Sequence, residues 1–157
     1  HMIEAGIAYY EGTGKRKLLD VVIRLADCID RTFGPEEGKL HAYPGHEIIE
    51  MALVRLYHLT KEEKYLNLAK YFIDERGQEP LYFKEEREKY GNTYYWEDSM
   101  FQEQYFQAGK PVREQKEAEG HAVRAVYLYS GMASAAKETG DMSLWEACTR
   151  LWDPVGG

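Results

Sequence analysis

The sequence predicts an all-α fold of repeated antiparallel helix hairpins, set side by side as part of a barrel. Two observations carry this expectation. Three stretches align on a threonine, Thr13-GKRKLLDVVIRLAD, Thr60-KEEKYLNLAKYFID and Thr139-GDMSLWEACTRLWD, and repeats are sought before single elements. In each, a bulky apolar pair follows at the same offset (Leu18 and Leu19, Tyr65 and Leu66, Leu144 and Trp145), and an Asp closes the run at Asp27, Asp74 and Asp153. The second observation is what precedes each threonine: MIEAGIAYYEG, EIIEMALVRLYHL and AVRAVYLYSGMASAAKE, all far less charged.

Apolar residues at helical spacing with a charged opposite face define an amphipathic outer helix, whose start the threonine marks. A helix that is apolar nearly all round is buried on most sides. The repeating unit is therefore an inner helix, a short turn and an outer helix. Units that bury the same face again and again build either an open solenoid or a closed α/α toroid. Between the first two units, Phe33-GPEEGKLHAYPG45 reads as a loop punctuated by Gly-Pro and Pro-Gly pairs. Between the second and third lies an insertion from about Gln78 to Glu119, broken by glycines and prolines.

Length and composition set the outer bounds. The 157 residues, 44% apolar and 13% aromatic, suit a single soluble domain spanning 1–157. A net charge of -7 repels phosphate backbones, and no Lys/Arg cluster tracks one, so nucleic acid is excluded as a partner. No apolar run reaches the roughly 20 residues that span a bilayer, and the N-terminus lacks the pattern of a secretion signal. The expectation is a cytoplasmic protein without a membrane partner. Cys28 and Cys148 stand far apart outside any CxxC spacing, which points to buried thiols rather than a disulfide or a thiolate metal site.

The candidate site follows from the repeat. Each inner helix is expected to open with a histidine, His1, His46 and His121, the latter two preceded by Gly45 and Gly120. Repeat-equivalent positions project from the same end of the assembly toward its axis, so these sequence-distant rings should converge. One turn on, Glu4, Glu50 and Arg124 fall on the same faces. Such groups are costly to bury unless they face a wet cavity or pair, which describes a polar pocket at a barrel mouth. Gln107, Arg113 and Glu114 lie on the segment that delivers the chain to His121 and join the candidates near that mouth. Arg113 and Glu114 could equally form a structural ion pair. His41 and His58 lack the placement and read as peripheral.

Nine aromatic residues crowd the insertion: Tyr82, Phe83, Tyr90, Tyr94, Tyr95, Trp96, Phe101, Tyr105 and Phe106. Aromatic faces can line a sugar site. Anchoring a long loop to its own domain is the more common use.

The ordered series HMIEAGIAYY, TGKRKLLDV, FGPEEGK, YPGHEIIEMALVRLY, AKYFIDERG, QAGKPVREQ and GHAVRAVYLYSGMA resembles the N-terminal part of the catalytic domain of glycoside hydrolase family 127, the β-L-arabinofuranosidases. The likeness covers nearly the whole chain and departs after Arg150-LWD153, at Pro154-VGG157. It implies an (α/α)6 barrel and release of terminal β-L-arabinofuranose from arabinosides with retention. It also implies sugar-binding roles for His1, His46 and His121. His1-Met2 matches the family's Gly-His-[Met/Leu]-Ile-Glu-Ala motif and, equally, the pair left by a cloning scar.

The resemblance further implies a cysteine thiolate nucleophile held with zinc, other cysteines and a glutamate, plus a glutamate acid/base. All of these lie downstream of the part represented here. Cys28 and Cys148 match none of those positions, so no catalytic residue is assigned and zinc is expected only in the full-length enzyme. The truncated chain is accordingly expected to be inactive alone, and its uncovered apolar helix flanks to drive homo-oligomer formation.

Two other readings stay open on the residues themselves. One is a non-catalytic helical-repeat interaction module, with distant, packed histidines. The other is a three-histidine metal site, which needs ring nitrogens within about 4 Å of one another.

Overall fold

The computed structural model describes residues 1–91 and 102–156, and these are helical throughout apart from loops and one isolated bridge between Phe33 and Leu40. The helices are α1 (Met2–Thr13), α2 (Lys17–Thr32), α3 (Ile49–Thr60), α4 (Glu63–Glu75), α5 (Tyr82–Tyr90), α6 (Gln102–Tyr105), α7 (Ala122–Thr139) and α8 (Met142–Gly156). Three hairpins, α1–α2, α3–α4 and α7–α8, form an arc in which inner helix α3 packs against both α1 and α7. This is the all-α hairpin repeat that the sequence predicts.

Position along the arc decides burial. The central helix α3 buries Glu50, Ala52, Leu53, Val54 and Leu56, whereas the end helices expose apolar residues, Met2 and Tyr9 on α1 and Val123 and Val126 on α7. Outer helix α2 buries only the stripe Leu19, Val22 and Ala26, and α4 the wider set from Tyr65 to Ile73. Removing a leucine such as Leu53 or Leu56 from this core costs about 2–5 kcal/mol.

The repeated threonines work differently from the expectation. Each is the last residue of the inner helix rather than the opener of the outer one. Thr13, Thr60 and Thr139 donate their Oγ1 hydroxyls back to the carbonyls of Tyr9, Leu56 and Ala135 at 2.6, 2.8 and 2.8 Å. The next residue, Gly14, Lys61 or Gly140, then turns the chain through the left-handed region at φ 70°, 62° and 68°. In the first two turns the same hydroxyl accepts from the backbone two residues on, Lys15 N–H at 3.2 Å and Glu62 N–H at 3.3 Å. The third turn uses Asp141 instead, whose Oδ1 accepts from the Leu144 N–H at 3.0 Å and the Ser143 hydroxyl at 2.7 Å.

Of the three Asp residues that close the aligned runs, Asp74 lies one residue before the end of α4. Helix α2 runs past Asp27 to Thr32, and α8 past Asp153 to Gly156. Asp27 faces α4, accepting from the Tyr65 hydroxyl at 2.7 Å and pairing with Lys64 at 2.7 Å. It is a strap between outer helices.

Within the insertion, the aromatic residues that the structure describes are mostly loop anchors. Tyr43, Tyr82, Phe83, Phe106 and Tyr105 form a chain of ring contacts with centroids 4.8 to 5.8 Å apart. Tyr90 is exposed. Tyr94, Tyr95, Trp96 and Phe101 lie outside the described residues.

Candidate functional site

The three histidines occupy equivalent places in the repeat but not identical ones. His1 and His121 are the residues immediately before α1 and α7, while His46 lies three residues ahead of Ile49, in the turn that leads into α3. The sequence expectation that His46 opens its helix is corrected: Ile48 is the N-cap of α3. All three histidines are exposed.

The structure brings His1 and His46 together. Their ring centroids stand 6.3 Å apart, and Tyr127, one and a half turns into α7, closes a triangle at 6.3 Å from His1 and 5.7 Å from His46. His121 makes its ring contact with Tyr105 instead, edge to face at 5.5 Å. Tyr127 escaped the sequence reading because it looks like one more apolar position of an inner helix.

Gly120 makes the approach to His121 possible. It sits at φ 77°, and a Cβ there would fall 2.0 Å from the Gln104 carbonyl oxygen. Only glycine fits both demands. Gly45 differs, since a Cβ there would make ordinary contacts of 3.6 Å or more with aromatic rings.

Beneath the His46 turn lies a charged cluster that the sequence did not disclose. Arg76, just past α4, is fully buried, as are Glu47 and Glu50. Its guanidinium donates to the Phe106 carbonyl at 2.8 Å and the Pro44 carbonyl at 2.7 Å, and it stacks over the Tyr43 ring at 4.8 Å. It stands 3.1 Å from Glu47 and 3.6 Å from Glu50. Arg124 completes the cluster: it donates to the Gly45 carbonyl, approaches Glu47 at 4.0 Å, and lies over the Tyr105 and Phe106 rings at 4.9 and 4.8 Å. Burial pushes the Glu47 carboxyl up to about 7 against the opposing pull of Arg76.

The expected polar line of Glu4, Glu50 and Arg124 facing an open mouth is therefore replaced by three paired groups. Glu4 takes the guanidinium of Arg55, which also binds Glu11. Glu50 caps its own helix through the Ile48 N–H at 3.1 Å. Arg124 serves the cluster just described.

The delivering segment is likewise structural. Gln107, buried at φ 52°, donates to the Glu119 carbonyl at 2.8 Å and, at 3.4 Å, to the His121 carbonyl. Arg113 and Glu114 do not pair with each other. Arg113 binds Asp74 at 2.6 Å, Asp141 at 2.7 Å and Ser143 at 2.8 Å, tying the loop to two outer helices, and Glu114 is exposed. The ion pairs and the Ser143 hydroxyl, the latter foremost, hold the Asp141 carboxyl well below the usual carboxylate range. His41 is exposed, and His58 pairs with Glu138 at 3.0 Å.

Among the described residues no three His, Cys, Asp or Glu side chains converge to hold an ion. Cys28 is exposed on α2, correcting the expectation that it is buried. Cys148 is buried on α8, its thiol donating to the Tyr129 carbonyl at 3.4 Å and pushed up by burial, the opposite of an activated thiolate. These residues do not fit the cysteine and zinc centre that the resemblance implies.

An arc of helical hairpins that gathers exposed imidazoles at the starts of its inner helices, with the half-buried Tyr127 ring between two of them, has the framework expected of part of an α/α toroid. The particular family is shown by comparison: the chain belongs to the β-L-arabinofuranosidase GH127 catalytic domain family, whose model matches residues 1–156. The non-reducing end β-L-arabinofuranosidase of Bifidobacterium longum subsp. longum is 44% identical over 156 residues, which cover 99% of this chain and 24% of that protein. The crystal structure of a GH127 β-L-arabinofuranosidase from Geobacillus stearothermophilus T6 superposes with a TM-score of 0.93 at 50% identity, covering 99% of this chain and 24% of that one. A further solved glycoside hydrolase has a TM-score of 0.70 at 28% identity, covering 99% of this chain and 22% of that one. The chain thus spans about a quarter of the length of the relatives it matches.

Proposed function

We propose that this chain supplies the sugar-binding wall of an (α/α)6 glycosidase that releases terminal β-L-arabinofuranose from arabinosides, with His1, His46 and His121 contacting the sugar. The observation that carries the reading is the convergence of exposed His1 and His46 on Tyr127, at the inner-helix starts of a chain matched along its length by the GH127 catalytic domain. A neutral imidazole offers one donor and one acceptor, and each sugar hydroxyl offers both. Rings supplied by separate helices can therefore read several hydroxyls of one small furanose. An interaction module with distant, packed histidines fits this arrangement poorly.

The wall binds and orients. In the full-length family enzyme, zinc and the cysteine nucleophile would come from residues outside these 157. Neither cysteine of this chain is placed to serve.

Titration of the chain with methyl β-L-arabinofuranoside, followed by NMR, should therefore move the ring resonances of the three histidines. His46→Ala should weaken binding about five- to tenfold, the worth of one or two net hydrogen bonds. The chain alone should not turn over p-nitrophenyl β-L-arabinofuranoside. Unchanged affinity in the variant, or turnover by the purified chain, would overturn the reading.

The exposed flank of α8 supports self-association as well. Met142, Trp145 and Trp152 are 62%, 48% and 45% exposed, and Met142 and Trp145 border a groove with Ala133 and Ala136 of α7. Apolar area of this kind drives association. Light scattering should show a homo-oligomer whose proportion grows with concentration, and a monomer at every concentration would refute it. No described helix is long and apolar enough to cross a membrane, and two unpaired thiols suit the reducing cytoplasm.

A further inference from the structure

The turn from Pro44 to Ile48 is held more tightly than a loop that merely connects two helices requires. Its Pro44 carbonyl accepts from Arg76 at 2.7 Å, its Gly45 carbonyl from Arg124, and its Ile48 N–H donates to Glu50 at 3.1 Å. Two arginines and one glutamate, from the end of α4, α7 and α3, thus fix three backbone groups of the turn, and Arg76 and Glu50 do so fully buried. At the exposed apex stands His46.

The turn also acts on the ring itself. His46 Nδ1 lies 2.9 Å from the carbonyl oxygen of Glu47. A carbonyl only accepts, so this contact requires a proton on Nδ1. A neutral imidazole carries one N–H, which leaves Nε2 as a bare lone pair. Among the described residues, no protein group donates to Nε2. The hydrogen bond at one ring nitrogen decides what the other can do.

We infer that the turn makes His46 a dedicated hydrogen-bond acceptor: the Glu47 carbonyl locks the Nδ1–H tautomer, Arg76 and Arg124, through the Pro44 and Gly45 carbonyls, act as positioning residues for the turn that carries it, and Nε2 accepts a hydrogen bond from a furanose hydroxyl. The inference rests on the sugar-wall reading above and sharpens it. It makes His46 selective for a ligand that presents a hydroxyl donor, against one that presents an ether or carbonyl oxygen there. Arg124 extends the device, since the Tyr105 ring beneath its guanidinium is the ring that meets His121.

The test is long-range proton–nitrogen correlation NMR on the chain at pH 8, above the ordinary imidazole range. His46 should show a pyrrole-type Nδ1 and a pyridine-type Nε2, with at least about a fivefold preference for that tautomer, the bias one net hydrogen bond supplies. Methyl β-L-arabinofuranoside should then shift Nε2. Arg124→Ala should erode the single-tautomer signature while the helical circular dichroism stays unchanged. A merely structural arginine would leave the tautomer alone.

An Nε2–H tautomer in the free chain overturns the proposal, whether or not sugar binds. So does sugar binding that shifts other histidines and spares His46 Nε2, or a tautomer indifferent to Arg124→Ala in a folded variant. If no histidine responds to sugar, the sugar-wall reading itself fails and the acceptor role falls with it.

Discussion

Arg76→Met should destabilise the chain by about 3–5 kcal/mol, the cost of breaking a buried ion pair by removing one partner. The magnitude follows from what the guanidinium touches. It is fully buried, it satisfies the carbonyls of Phe106 and Pro44, and it faces Glu47 at 3.1 Å and Glu50 at 3.6 Å. Methionine fills similar volume but leaves two buried carboxyls and two carbonyls without their cation. A domain holds only about 5–15 kcal/mol in total, so this one change approaches global unfolding. Urea denaturation with near-ultraviolet circular dichroism measures it.

The double variant Arg76→Met, Glu47→Gln separates charge from packing. Removing the stranded carboxylate should recover part of the loss, so the two effects should fall short of additive. An Arg76→Met protein within about 1 kcal/mol of wild type would show that the cluster contributes little.

That cluster also marks where sequence reasoning stops. Helical periodicity is local, so the three hairpins were legible from residues such as Leu19, Val22 and Ala26, which share one face of α2. The threonines end the inner helices, one step earlier in the unit than the repeat predicts. Thr13 is as good a helix closer, donating to the Tyr9 carbonyl, as it is an opener, and spacing does not distinguish them.

Arg76 could not be read at all. In the run Asp74-Glu75-Arg76 it looks like one more solvated charge, and its burial comes from partners 30 and 32 residues away. Arg113 misled for the same reason, since Asp74 and Asp141 lie 39 and 28 residues from it. Of the candidate site, the repeat gave the places of the histidines. Tyr127 and the tautomer of His46 came only with three-dimensional contact.

The buried carboxyl at the centre of the cluster predicts an unusual pH profile. Glu47 has both oxygens without a hydrogen-bond donor, and burial lifts its native pKa to about 7 from an ordinary 4.5. Below the ordinary value both native and unfolded chains are protonated there, and the group costs nothing. As pH rises through the window between, the unfolded chain releases its proton while the native one keeps it, so stability falls. Above about 7 the loss is complete, on the order of 3 kcal/mol.

Glu119, raised by burial first and by Glu117 second, acts in the same direction. Asp27 and Asp141 have lowered values, and their contributions disappear only as pH falls into the acid range. The interval between about pH 4.5 and 7 therefore carries the Glu47 contribution with the opposite sign from the surface carboxylates. Glu47→Gln removes the titrating group without taking away any hydrogen bond the carboxyl makes. Relative to wild type, this variant should gain on the order of 3 kcal/mol between pH 5 and pH 8 in urea unfolding. Parallel profiles for the two proteins would show that Glu47 stays ionised beside Arg76 throughout, with the ion pair prevailing over burial.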